Sequence, residues 1–162
     1  GIPNTHMSVG TNCNGFEVGL SAFERFLGTI TPSGSVYTSY IGNSPTSPTD
    51  PTPAAGLARW NYLLSVDLGA YDFTQVRVLF DLDFSPADDG ATTVFSTVDV
   101  SAQMIAAGAG ALHKVQDSQN LGFAFWSSLF PGVIFNPNEQ GTYEMRVRLQ
   151  SSMTSASLMT VP

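Results

Sequence analysis

One lysine, one cysteine, two histidines and no long apolar run: this 162-residue sequence is defined first by what it has little of. Lys114 and five arginines face 13 acidic residues, for a net charge of −7. Phosphate backbones are held by clustered Lys and Arg, so this balance excludes a nucleic-acid partner and argues against an anionic membrane surface. No stretch approaches the roughly 20 apolar residues that a membrane-spanning helix needs. Cys13 has no second cysteine to pair with inside the chain. An intermolecular link, a free thiol, an attachment point and a small apolar packing residue all stay open for it. His6, Cys13 and His113 are never paired at ligand spacing, so nothing supports a zinc site. Charged residues are 12% of the chain, about half the usual share.

Low charge does not make the chain a solvated polymer. Eleven Phe, five Tyr and two Trp supply enough apolar surface for a core. At this length about 70% of the unfolded surface can be buried, which suits one domain over residues 1–162. Ser and Thr together number 33, so the polar surface is hydroxyl rather than ionic.

Period-2 alternation carries the fold. Val76, Val78, Phe80, Leu82 and Phe84 fall on one side of a strand, with Arg77, Asp81 and Asp83 on the other. Tyr143, Met145, Val147 and Leu149 repeat the device against Glu144, Arg146 and Arg148, and Trp60, Tyr62, Leu64, Val66 and Leu68 give a third case. Segments 35–41, 92–100 and 153–161 read as further strands. The proline-rich stretch 43–56 reads as a long surface loop, and 1–14 as an N-terminal arm or a cloning remnant. The chain opens at Gly1 without a leader, which points to a processed or trimmed product. Residues 102–113 are the main helix candidate, and 17–27 suits a strand as well as a helix. The expected fold is all-β: a single antiparallel β-sandwich, immunoglobulin-like or jelly-roll-like, with at most one short helix.

No catalytic constellation emerges. Ser118 follows Asp117 and His113 lies upstream, but there is no G-x-S-x-G turn, and in so Ser-rich a chain that proximity arises by chance. Asp81 and Asp83 sit on the outward face of their strand, where acids are ordinarily solvated rather than poised for glycoside hydrolysis. Calcium is the one cofactor the residues leave open, with Asp83, Asp88 and Asp89 around one turn. Turn formation is the plainer role for those residues. Trp126 faces away from its neighbours Phe123 and Phe125 in alternation, which makes it the candidate for stacking on a sugar or a partner.

The segments QDSQNLGFAF (116–125) and FNPNEQGTYEMRVR (135–148) and the closing Val-Pro resemble secreted bacterial proteins of the PEP-CTERM class, sorted by exosortase. The likeness covers roughly residues 57–162 and includes Trp60-Asn61-Tyr62 and the strand Phe80–Phe84. In that class the chain continues past Val-Pro with Glu-Pro, an apolar helix and a basic end, so the resemblance makes this an ectodomain without its sorting tail. It implies export, location at the cell surface or in the medium, and association with exopolysaccharide or biofilm matrix. It implies no enzymatic activity. The expectation is therefore a non-catalytic extracellular surface or matrix structural protein. It would partner with itself as a filament or sheath subunit, with Cys13 as a covalent link. The alternative is a lectin-like carbohydrate-binding module associated with exopolysaccharide.

Overall fold

A computed structural model describes residues 8–11, 15–85 and 93–161. Cys13, Asp88, Asp89 and His6 lie outside the described residues. Among the described residues, eleven strands and two short helices follow one another: β1 (Ser8–Thr11), β2 (Glu17–Glu24), β3 (Gly28–Thr29), β4 (Asn43–Ser47), β5 (Asp50–Ala58), β6 (Trp60–Asp67), β7 (Val76–Leu82), β8 (Ser96–Asp99), α1 (Val100–Ala106), β9 (Lys114–Gln119), α2 (Phe125–Leu129), β10 (Met145–Ser151) and β11 (Ser157–Val161). One antiparallel sheet runs β1-β2-β6-β9, with β3 also on β2; the other runs β11-β10-β7-β8. Val18, Leu20, Leu64 and Val66 from the first share a buried core with Val78, Phe80, Leu82, Val147 and Leu149 from the second. This is the all-β sandwich that alternation indicates, because each sheet has one apolar face and the two cover each other.

The cross-strand register explains much of the packing. Val18 lies opposite Val66 and Leu20 opposite Leu64, which resolves segment 17–24 as strand. Phe80 lies opposite both Val147 and Val98. Where β8 ends, the buried Ser101 hydroxyl continues its hydrogen bonding: it accepts from Val78 N at 2.8 Å and donates to Val76 O at 2.9 Å. Asp99 then caps α1, accepting from Ala102 N at 2.9 Å. The helix spans Val100–Ala106, and Gly108, at φ 74°, turns the chain out of it.

Three expectations are corrected. The stretch 43–56 is no loop: β4 and β5 form a separate two-stranded ribbon in which Pro45 lies opposite Pro53. Proline suits extended backbone, and on a ribbon with open edges its missing N–H costs nothing. Segment 35–41 is not a strand; its only bridge joins Ser33 to Val36, and Val36, Tyr40 and Ile41 are exposed. Alternation there lacks a partner strand to pair with. Finally, a second helix, α2, stands where the LGFAFW segment reads as extended. Within the N-terminal arm, the described residues Ser8–Thr11 belong to the first sheet, since β1 pairs with β2 of its own chain.

Candidate functional site

Two buried polar residues shape the end of the sandwich where the site lies. Asn120, fully buried just after β9, clamps the link between β5 and β6. Its Oδ1 accepts from Ala58 N and Gly122 N, each at 2.9 Å. Its Nδ2 donates to Ala58 O, Trp60 O and Asn61 Oδ1 at 2.8–2.9 Å. Gly122 follows because the backbones nearly touch: a Cβ there would stand 1.9 Å from Gly56 O. The NLGF segment thus has a mechanical reason, and it fixes the start of β6 and with it Trp60.

Asp81 is the second. It was expected on a solvated face, and it does face away from the core, yet it is 0% exposed. Arg146, opposite it on β10, and Arg148 each reach it through Nε at 2.6 Å, and Thr97, opposite on β8, donates at 2.7 Å. The long arginine side chains lie over it, so alternation gave its side but not its exposure. Burial works to raise its carboxyl pKa, but the hydrogen bonds from Arg148, Thr97 and Arg146 outweigh that and hold it at about 2. Arg146 also covers the Phe95 ring, 4.1 Å from guanidinium carbon to centroid.

Between these nodes opens a cleft of about 690 Å³, within the range of small-ligand sites. Leu20, Ala22 and Tyr62 line it from the first sheet and Met145 from the second. Three rings form its wall: Trp60 lies 6.4 Å from Phe135 and 5.6 Å from Tyr143, and Phe135 lies 5.7 Å from Tyr143. Phe135 and Tyr143 are the two aromatic ends of the FNPNEQGTY segment, whose turn at Asn136–Glu139 folds them onto one site. The Tyr143 hydroxyl is pushed up to about 12 by burial, then by Glu139 and Asp83.

The mouth is edged by a strap, residues 31–42, tied down at a few points. The Tyr37 hydroxyl donates to Leu20 O at 3.2 Å, Ser39 to Glu24 Oε1 at 3.0 Å, and Gly42 N to Pro137 O at 2.8 Å. Arg59 joins Glu24, with Nη2 donating to Oε2 at 3.2 Å, and its guanidinium lies 5.2 Å from the Tyr40 ring. Burial opposes the charge on Glu24, but Arg59 and Ser39 prevail and its pKa is lowered. Tyr40 itself is 74% exposed, an aromatic face presented at the mouth.

The residues singled out from sequence fare differently. Trp126 is corrected: only 5% exposed, it packs parallel to Phe130 at 6.1 Å, and its indole N–H donates to Asn120 O at 2.9 Å, so it is a core residue and not an exposed stacking platform. Because α2 replaces an extended segment there, Phe125 becomes the exposed neighbour and Trp126 the core residue. Asp83 is buried, accepting from Ser85 N at 2.9 Å and Glu144 N at 3.3 Å, which occupies it as a turn and strand cap. Among the described residues no three His, Cys, Asp or Glu gather as metal ligands. Asp117 accepts from Ser118 N and Gln119 Nε2 on exposed β9, an arrangement that activates no nucleophile. Tyr40 was the residue missed, since its alternation with Val36 and Thr38 suggested a strand face.

A second, smaller cavity of about 310 Å³ lies between β8 and β9, the outer strands of the two sheets, with Val98, Met104, Val115 and Phe125 among its lining. Among the described residues no helix is long and apolar enough to cross a membrane. No protein-family model, no curated protein and no solved structure matches this chain.

Proposed function

We propose that this chain is a non-catalytic extracellular module of a bacterial surface or matrix that holds a glycan in the aromatic cleft. The observation that carries the reading is the triangle of Trp60, Phe135 and Tyr143 inside a ligand-sized cleft, with exposed Tyr40 at its mouth. Sugar rings present C–H faces that stack on such rings, and a rigid sandwich holds the rings in place without induced order. The likeness of segments 116–125 and 135–148 to exosortase-sorted proteins supports the extracellular setting. The test is a glycan array probed with the protein and with its Tyr40→Ala variant, with and without chelator. Binding that the variant loses supports the reading; no binding to any glycan, or binding the variant keeps, overturns it.

A second reading, self-assembly, is favoured by one observation. The edges of β8 and β9 flank the smaller cavity and carry no further strand among the described residues. Edges of this kind pair with a neighbour's backbone. Small-angle scattering decides it: a concentration-independent radius of gyration of about 15 Å, the value for a compact chain of this length, would remove assembly.

A further inference from the structure

We infer that the cleft takes an uncharged oligosaccharide, a run of hexose or N-acetylhexosamine units, and that its acidic lining turns away polyuronates and sulfated chains. The inference rests on the glycan reading and specifies its ligand.

Three features of the lining carry it. Among the described residues, the only charged ones in the lining are Glu139, Glu144 and Arg146. Arg146 is already committed, its Nε on Asp81 at 2.6 Å and its guanidinium over Phe95 at 4.1 Å. Asp81, which Arg148 also holds, already offsets part of that charge, so Arg146 is a weaker attractor for an anionic sugar than an unpaired arginine. Glu139 and Glu144 have no ion pair among the described residues, and Tyr143, one of the three rings of the triangle, feels the negative field of Glu139 and Asp83. The remaining polar lining is hydroxyl: Ser21, Ser35, Thr38, Ser39 and Thr142. Hydroxyls and carboxylates both accept from sugar O–H groups, and neither neutralises an anion. Long-range attraction points the same way, because a net charge of −7 repels a polyanion before contact.

The experiment titrates the whole chain with cellohexaose, maltohexaose and the N-acetylglucosamine hexamer, and in parallel with hexagalacturonate, by calorimetry and tryptophan fluorescence at low and at physiological salt. Tyr40→Ala, at an exposed position, serves as the cleft-dead control. The Glu139→Gln/Glu144→Gln double variant reports on the acidic lining. Expected is saturable binding of at least one uncharged hexamer, lost in Tyr40→Ala, and binding of hexagalacturonate weaker by on the order of tenfold or more. The double variant should bind hexagalacturonate on the order of fivefold to tenfold more tightly than the native chain, the scale of removing close like-charge repulsion. Hexagalacturonate binding that matches or exceeds the uncharged hexamers and disappears in Tyr40→Ala would overturn the selectivity while leaving a glycan site. Silence from every hexamer would overturn the selectivity and the glycan reading together.

Discussion

Asn120 and Asp81 are both fully buried and both bind several partners, but the partners differ in kind. Around Asn120 they are backbone groups and one side-chain amide, fixed inside the fold at Ala58, Trp60, Asn61 and Gly122. Around Asp81 they are chiefly arginines whose side chains remain 41% and 29% exposed. If Asp81 is lost, Arg146 and Arg148 can swing into water; if Asn120 is lost, its partners have nowhere to go. Neutral and fixed therefore outranks charged and mobile. The more polar-looking residue is the more replaceable one, because what sets the cost is the fate of the groups left behind.

The sharpest way to break this contrast is Asn120→Ala. It strands several buried donors and acceptors at once, each worth about 1–3 kcal/mol, so a loss of about 4 kcal/mol in urea unfolding is expected. A smaller loss than for Asp81→Asn would reverse the comparison.

Asp81→Asn comes next, at about 2 kcal/mol, and it has a pH signature. The carboxyl titrates at about 2 in the fold against an ordinary 3.8. Folded protein thus binds fewer protons than unfolded protein between those values. The stabilisation is fully present above about pH 4 and is lost as pH falls through about 2. Unfolding midpoints measured from pH 5 down to pH 2 should fall less steeply in the variant than in the native chain.

Trp126→Phe keeps the apolar packing but removes the indole N–H from Asn120 O. It should cost about 1 kcal/mol by the same urea assay and shift no pH midpoint, because the group touches only the neutral node.

Smallest in stability is Tyr40→Ala, expected within about 0.5 kcal/mol of the native chain by thermal unfolding. A residue 74% exposed holds little of the fold. A large drop would mean the strap depends on the Arg59–Tyr40 contact and would recast Tyr40 as structural.

The sandwich was legible wherever alternation met a partner strand. Val76, Val78, Phe80 and Leu82, Val147 and Leu149, and Tyr62, Leu64 and Val66 all reach the shared core as the pattern requires. Alternation names a side and not a depth, which is why Asp81 looked solvated: its cover comes from Arg146 and Arg148, 65 and 67 residues away. The same limit applied at 35–41, where the pattern was present but no strand lay alongside. The ribbon 43–58 lacked any apolar signal, because it packs by backbone pairing rather than by burying large side chains. At the cleft, Trp60 and Tyr143 were legible as members of alternating strands, but no local pattern showed that Trp60, Phe135 and Tyr143 meet. The chain route that presents Tyr40 at the mouth is set by tertiary ties to Leu20, Glu24 and Pro137, and no local pattern encodes those.

The sheet order also dictates when the molecule can close. β6 lies between β2 and β9, and β7 between β8 and β10. A growing chain that has emerged only as far as residue 113 holds β2–β6 and β7–β8, with β6 and β7 each exposing a naked strand edge beside apolar residues. The segment from Lys114 to Val161 then supplies β9, β10 and β11, completing both sheets. Synthesis therefore delivers β9, β10 and β11 after the strands they cover, and any pause before residue 114 prolongs an intermediate whose two open edges invite pairing with other chains.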